Sequence, residues 1–187
     1  YNASNETDYN KQIEVFENLL KEIDISKVQI IHISASEALT NYTKPKEANG
    51  CRLGIIMYGF SEKINLESPV KLISEVIQIH DIKKGEVVGY NGMFKAEEDT
   101  KIGVIPVGYA DGIIRKNTGR YVYINNNKYK IVGNVCMDML FVEIDENVHL
   151  YDTVELLKDN KHIEETAKYL ETIPYEILCQ IGGRVPR

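Results

Sequence analysis

In Pro106-Val107-Gly108-Tyr109-Ala110-Asp111-Gly112, two glycines flank one tyrosine, a way to present a phenol on a tight turn at the end of a strand. A phenol placed there can give or take a proton. Taken alone, the heptapeptide favours the plainer reading of Tyr109 as a half-buried packing side chain. Further on, Val132-Gly133-Asn134-Val135-Cys136-Met137-Asp138-Met139 sets two sulfur side chains and a carboxylate together on a strand. Cys136 and Met137 read as core fillers, whereas Asp138 needs hydrogen bonds, a cation, or a turn or sheet edge to sit there. Arg52 opens a buried-looking strand, with Gly54 just after it where a ligand could approach the backbone closely; a surface charge at a strand end accounts for the arginine equally well. Ser36, at a helix start, suits capping better than anion binding, although both use the same unpaired amides. His32 lies in a strand and reads as a core histidine, and His80, His149 and His162 form no constellation, so no histidine is given a catalytic role.

The elements that must carry these residues change character along the chain. Thr7 and Asp8 can cap a helix whose apolar positions Ile13, Phe16, Leu20 and Ile23 recur at helical steps, ending near Asp24. Val28-Gln29-Ile30-Ile31-His32-Ile33 then predicts a strand covered on both faces, Ser34 to Glu37 has capping-box spacing, and a second apolar run follows at 51–58. That alternation is the pattern of a parallel α/β unit. Beyond about residue 66 the pattern is all-β, with strands expected over 70–82, 86–90, 101–107, 121–124, 129–132 and 135–144. Asn125-Asn126-Asn127 reads as a hairpin turn and Lys83-Lys84-Gly85 as another connection of that kind, while Ile163, Ala167 and Leu170 mark one late helix. Residues 1–66 therefore read as the tail of an α/β domain and 67–187 as a mainly β domain.

The bulk properties narrow the function classes. The 187 residues are 43% apolar, enough to bury a core, and 28 acidic against 22 basic residues with no basic run leave no phosphate-tracking surface for nucleic acid. A small polar metabolite is the easier ligand. Cys51, Cys136 and Cys179 are odd in number and lack any CxxC or Cys/His pairing, so neither a disulfide framework nor a metal site is expected, and they read as reduced cytoplasmic thiols. No apolar run approaches the roughly 20 residues of a spanning helix. The sequence opens on Tyr rather than Met, so upstream residues, a membrane segment among them, lie outside this reading.

The order of the motifs is more specific than any one of them. His32-Ile33-Ser34-Ala35-Ser36, Arg52-Leu53-Gly54-Ile55-Ile56-Met57-Tyr58-Gly59, Val88-Gly89-Tyr90, the Tyr109 heptapeptide, the Cys136-Met137-Asp138 run, Tyr175-Glu176-Ile177-Leu178-Cys179 and the closing Arg184-Val185-Pro186-Arg187 together resemble the C-terminal half of alanine racemases. The resemblance covers the chain from about residue 28 to its end. It implies the last portion of a (β/α)8 barrel that binds pyridoxal 5'-phosphate, followed by a β domain, in a head-to-tail homodimer whose sites are completed by the partner. It also implies that the cofactor lysine belongs to sequence absent here, so no lysine of this chain takes that role and the chain alone is expected to be inactive.

Carried over by position, Ser36 and the amides of Gly54 and Ile55 resemble the phosphate contacts, and Arg52 resembles the arginine that hydrogen-bonds the pyridine nitrogen. A guanidinium, with a pKa above about 12, keeps that nitrogen unprotonated. Tyr109 resembles the catalytic tyrosine that faces the lysine across the substrate; racemisation needs a base on each face of Cα, and a phenol with a pKa near 10 needs help to serve at neutral pH. Met137 resembles the residue whose amide meets the substrate carboxylate, with Asp138 beside it. The chain departs from the pattern at Ala35, at Asn134, where many members have arginine, and at Gly183, where some place a tyrosine near the substrate. The smaller residue would enlarge the site and admit serine as well as alanine. The expected function is interconversion of L- and D-alanine for peptidoglycan. A noncatalytic dimerisation or regulatory domain is the alternative, and a barrel-plus-β decarboxylase of basic amino acids resembles the motifs less.

Overall fold

The computed structural model describes residues 5–187, and the chain divides between Pro69 and Val70 into two units. In the first, α1 (Glu6–Lys21) is capped not by Thr7 or Asp8 but by Asn5, whose extended backbone (φ −142°) frees its side chain to accept the Asp8 amide at 2.9 Å. The helix stops at Lys21 because Asp24 caps a separate 3-10 turn, Ile25–Lys27, accepting from the Ser26 hydroxyl at 2.6 Å. That turn displaces the strand expected over 28–33: β1 runs His32–Ala35, and Val28 and Ile30 are exposed rather than covered on both faces. The capping box from Ser34 to Glu37 does not form either. Ala35 occupies the cap of α2 (Ser36–Asn41) without a side-chain bond, and Ser34 is buried.

The parallel α/β expectation holds, since β2 (Gly50–Arg52) pairs parallel with β1, His32 opposite Gly50 and Ala35 opposite Arg52. A 3-10 turn over Ile55–Tyr58 follows where a longer strand was expected. The unit's small core is organised by a residue outside the expected helix stripe. Tyr9 is buried, stacks on Tyr42 at 4.2 Å, packs with Ala38 and Ile13, and donates its hydroxyl to the Thr43 carbonyl at 2.7 Å.

The second unit is built on a seven-stranded sheet in which β3 (Leu72–Glu75), β4 (Gln78–Ile82), β7 (Thr100–Ile105), β8 (Tyr121–Ile124), β9 (Asn127–Val132), β10 (Leu140–Ile144) and β11 (Thr153–Leu157) lie in the order 3-11-8-9-10-7-4, all antiparallel. β5 (Val87–Val88) and β6 (Phe94–Lys95) pair apart from it. In β10, Leu140, Val142 and Ile144 are buried and alternate with Phe141 and Glu143, the pattern of a strand with one core face. Asn125 and Asn126 adopt positive φ (49° and 65°) and join β8 to β9 as the hairpin turn expected of them. Lys83-Lys84-Gly85 also turns the chain, but β4 and β5 belong to different sheets, so it closes no hairpin. The apolar run over 135–144 is only half strand. Residues 135–139 are a loop, because Cys136 donates its amide to the Met139 carbonyl at 2.8 Å and closes a turn on itself instead of pairing. The late helix α3 (Asn160–Leu170) buries Ile163, Ala167 and Leu170 as its spacing required, and α4 (Pro174–Gln180) packs against it.

Candidate active site

The two turns that carry the candidate chemistry of the second unit are bonded to each other through their backbones. β7 ends at Ile105, and Pro106, lacking an N–H, cannot extend its pairing. Gly108 then continues extended (φ −145°) into a 3-10 turn, Tyr109–Asp111, closed by Gly112 at φ 104°. The Tyr109 amide donates to the Cys136 carbonyl and the Ala110 amide to the Met137 carbonyl, each at 3.0 Å. Such proximity leaves no space for a side chain at Gly108, where a Cβ would stand 2.3 Å from both the Cys136 and Met137 oxygens. Gly112 is equally confined, by the Gln180 carbonyl at 2.3 Å from its would-be Cβ. The glycines on either side of Tyr109 thus admit two neighbouring pieces of backbone, and the tyrosine side chain itself is 43% exposed.

Around this junction Tyr90, Asn91, Tyr109, Arg115, Asn134 and Met137 are among the residues that line an open cleft of about 670 Å³. Asn134 crosses it, accepting from Arg115 Nη2 at 3.0 Å and donating from Nδ2 to the Tyr90 carbonyl at 3.0 Å. Cys136 is buried, donating to the Asn134 carbonyl at 3.5 Å, and burial pushes its thiol pKa up, so it is a poor nucleophile. Met137, by contrast, is 53% exposed on the loop and is no core filler; Asp138 is exposed beside it. The cation that a carboxylate on this segment called for is Arg184, whose Nη2 donates to Asp138 Oδ1 at 2.8 Å and whose Nε lies 3.3 Å from Asp111 Oδ1. Asp111 in turn accepts the Gly108 amide at 2.9 Å through Oδ2. Bonding to Asp138 and the charges of Asp111 and Asp138 raise the Arg184 pKa further above its ordinary value.

In the first unit, the ends of β1 and β2 gather the other candidates. Ser36 does not cap its own helix; its Oγ accepts the Gly54 amide at 2.9 Å, tying the start of α2 to the turn after β2. Arg52 ends its strand instead of opening it and is exposed, with Nη1 3.1 Å from His32 Nδ1. Ile55 begins the 3-10 turn that follows Gly54. Gly183 lies in the closing segment with open space where a Cβ would be.

Two residues escaped the reading of the sequence. His32 was set aside as a core histidine, yet it faces Arg52; the signal was its place on the strand parallel to that of Arg52. Arg184 stood in the closing motif with no role, because nothing local shows that the chain's end returns to Asp111 and Asp138. Among the described residues no group of three or more His, Cys, Asp or Glu side chains is placed to hold a metal ion, and no helix is long and apolar enough to cross a membrane.

Comparison with known proteins places both units in one family. Residues 69–187 match the family described as alanine racemase, C-terminal domain, and residues 1–62 match alanine racemase, N-terminal domain. The alanine racemase of Borreliella burgdorferi is 39% identical over 184 residues, which cover 92% of this chain and 50% of that protein. A solved alanine racemase from Bacillus anthracis with bound L-Ala-P matches with a TM-score of 0.86 at 29% identity, over 99% of this chain and 51% of that one. Another, from Bartonella henselae with covalently bound pyridoxal phosphate, matches with a TM-score of 0.81 at 29% identity, over 100% of this chain and 53% of that one. The chain spans about half the length of the curated relatives it matches. The fold is accordingly the C-terminal part of an α/β barrel followed by a mainly β domain.

Proposed function

Because the chain belongs to the alanine racemase family, we propose that it is the C-terminal half of a pyridoxal-phosphate-dependent enzyme that interconverts L- and D-alanine, residues 1–66 closing the barrel and 67–187 forming the β domain. The single observation that supports it most is the junction at Gly108, which joins the Tyr109 turn to the Met137 loop through two backbone hydrogen bonds. A phenol on a turn held this way keeps a fixed position relative to the Met137 backbone, as proton transfer at one carbon requires.

The first unit fits the cofactor. Ser36 Oγ and the Gly54 amide, 2.9 Å apart, lie at the C-terminal ends of parallel strands, the end at which such sheets bind phosphates. A Cβ at Gly54 would make only ordinary contact with Ser36 Oγ, at 3.6 Å. In this reading Ser36, Gly54 and Ile55 hold the phosphate, and Arg52, steadied by His32, meets the ring nitrogen. Pyridoxal phosphate, when bound, supplies the electron sink that lets the substrate Cα–H bond break as a proton transfer. Arg52 holds a proton that it does not release, so the ring nitrogen meets a donor and stays neutral. Tyr109 takes the Cα proton on one face or returns it there, the opposed base serving the other face. Met137 orients the substrate carboxylate through its amide, and Asp138 contributes through Arg184.

The enzyme so read is a cytoplasmic head-to-tail homodimer supplying D-alanine to peptidoglycan, each Tyr109 serving the partner's cofactor. In the intact protein, Tyr109→Phe is expected to lower kcat/KM by roughly 10²- to 10⁴-fold and to slow solvent exchange of the Cα hydrogen from L-alanine more than from D-alanine. Equal exchange from both isomers in that variant, or undiminished racemisation, would count against Tyr109 as a one-face base, and an intact parent without racemase activity would favour the noncatalytic alternative. Acceptance of serine as well as alanine belongs to this reading because glycine stands at position 183, where a larger side chain would have room; Gly183→Tyr should lower the serine-to-alanine ratio of kcat/KM, and an unchanged ratio refutes a role for this position in selectivity.

A further inference from the structure

Arg184, in the closing segment Arg184-Val185-Pro186-Arg187, joins both turns of the candidate site. Arg184 reaches Asp138 on the Met137 loop at 2.8 Å and Asp111 on the Tyr109 turn at 3.3 Å, the first through Nη2 and the second through Nε. The two carboxylates differ in setting. Asp138 is open to solvent, whereas the Asp111 side chain is 12% exposed and spends its other oxygen on the Gly108 amide. Asp111 thus accepts a hydrogen bond from its own turn and forms an ion pair with the closing segment. Nearby, the Gln180 carbonyl fills the space left by the missing side chain of Gly112, so the closing segment meets the Tyr109 turn a second time.

We propose that Arg184 is the positioning residue of the Tyr109 site, spanning Asp111 and Asp138 so that the turn carrying the phenol and the loop carrying Met137 are held as one rigid piece. This rests on the racemase reading for its catalytic consequence and on the geometry alone for the clamp. Exposed ion pairs add little to global stability because solvent screens them and long side chains lose entropy. The guanidinium's effect is therefore local: its planar fork presents two edges to two carboxylates at once, which a lysine ammonium, a single point of charge, does less well. A small displacement of a reacting group can cost roughly 100-fold in rate, so removal of Arg184 is read in turnover and not in unfolding.

The test uses the intact protein with Arg184→Ala and Arg184→Lys. Amide hydrogen exchange at Tyr109 and Ala110, whose N–H groups bond the Cys136 and Met137 carbonyls, should quicken about tenfold in Arg184→Ala, with Arg184→Lys intermediate. Racemisation should lose roughly 10- to 100-fold in kcat with KM nearly constant, the Tyr109-dependent exchange of L-alanine should slow more than that of D-alanine, and added guanidinium should restore part of the loss in Arg184→Ala alone. Unchanged amide exchange in folded Arg184→Ala overturns the clamp, as does unchanged kcat in an active parent. If Arg184→Ala does not fold, Arg184→Lys decides: exchange and kcat equal to those of the parent overturn the proposal. A parent without racemase activity sinks the proposed function while amide exchange still decides the clamp.

Discussion

At the scale of single residues, Gly108 shows how a side chain's absence can be chemical information. Its φ of −145° is open to any residue, so conformational freedom is not why glycine stands there. The cause is steric, two carbonyl oxygens each 2.3 Å from the position a Cβ would take. Gly108→Ala is accordingly expected to destabilise the protein by roughly 2–4 kcal/mol, measured by urea unfolding, and to displace Tyr109 in the same step. A loss below about 0.5 kcal/mol, the range of an ordinary surface change, would show that the two loops part easily. The flanking glycines were readable in the sequence as a turn that presents Tyr109. That they admit backbone from 136–137 and from Gln180 was not, because close approach between distant segments leaves no periodicity to read. Met137 and Asp138 illustrate the same limit: an apolar run predicted strand, and one backbone bond from Cys136 to Met139 made it a loop.

At the scale of elements, α3 is fastened to the sheet by a buried pair that local sequence does not advertise. Arg120 is 4% exposed and donates to the Leu156 carbonyl at 2.9 Å, the Thr166 hydroxyl at 3.1 Å and Asn117 Oδ1 at 2.8 Å; burial pulls its pKa down to about 10. His162 packs against it. The Lys158 amide donates to His162 Nδ1 at 3.2 Å, so the imidazole proton sits on Nε2 and is shared with the Tyr121 carbonyl at 3.2 Å, with Arg120 Nη1 also 3.2 Å away. A second proton would set an Nδ1–H against the Lys158 N–H. Burial, and then the Arg120 charge, hold the His162 pKa below its ordinary 6.5, against weaker opposition from the Tyr121 carbonyl, Glu165 and Asp159. The unfolded chain therefore takes up this proton first, so the group's contribution is whole above about pH 6.5 and shrinks as the pH falls below it. Urea unfolding should show stability falling as the pH drops below about 6.5, by at most about 1.4 kcal/mol per pH unit from this group, and His162→Gln should flatten that slope. An unflattened slope would assign the acid sensitivity elsewhere.

At the scale of the whole molecule, the chain carries half of a racemase's length and two clusters of candidate residues, one in each unit. If each site joins Ser36 and Arg52 of one subunit to Tyr109 of the other, a chain damaged at Arg52 and a chain damaged at Tyr109 repair one site between them. Mixing equal amounts of intact Arg52→Ala and Tyr109→Phe proteins, unfolded and reassembled together, should restore about a quarter of the parent activity, since half the dimers are mixed and each has one undamaged site. No recovery in dimers shown to be mixed would mean that the residues act within one subunit. Composition, periodicity and the order of short motifs were enough to establish an α/β segment followed by a β domain, the Asn125-Asn126 hairpin, the buried face of α3, and the family, because each is written in spacing along the chain. Only the tertiary structure decided that Arg184 returns to Asp111 and Asp138, that His32 supports Arg52, and that the Met137 loop bonds the Tyr109 turn. Those contacts join residues remote in sequence, and their geometry is set by sheet register and chain closure, which no local pattern of residues encodes.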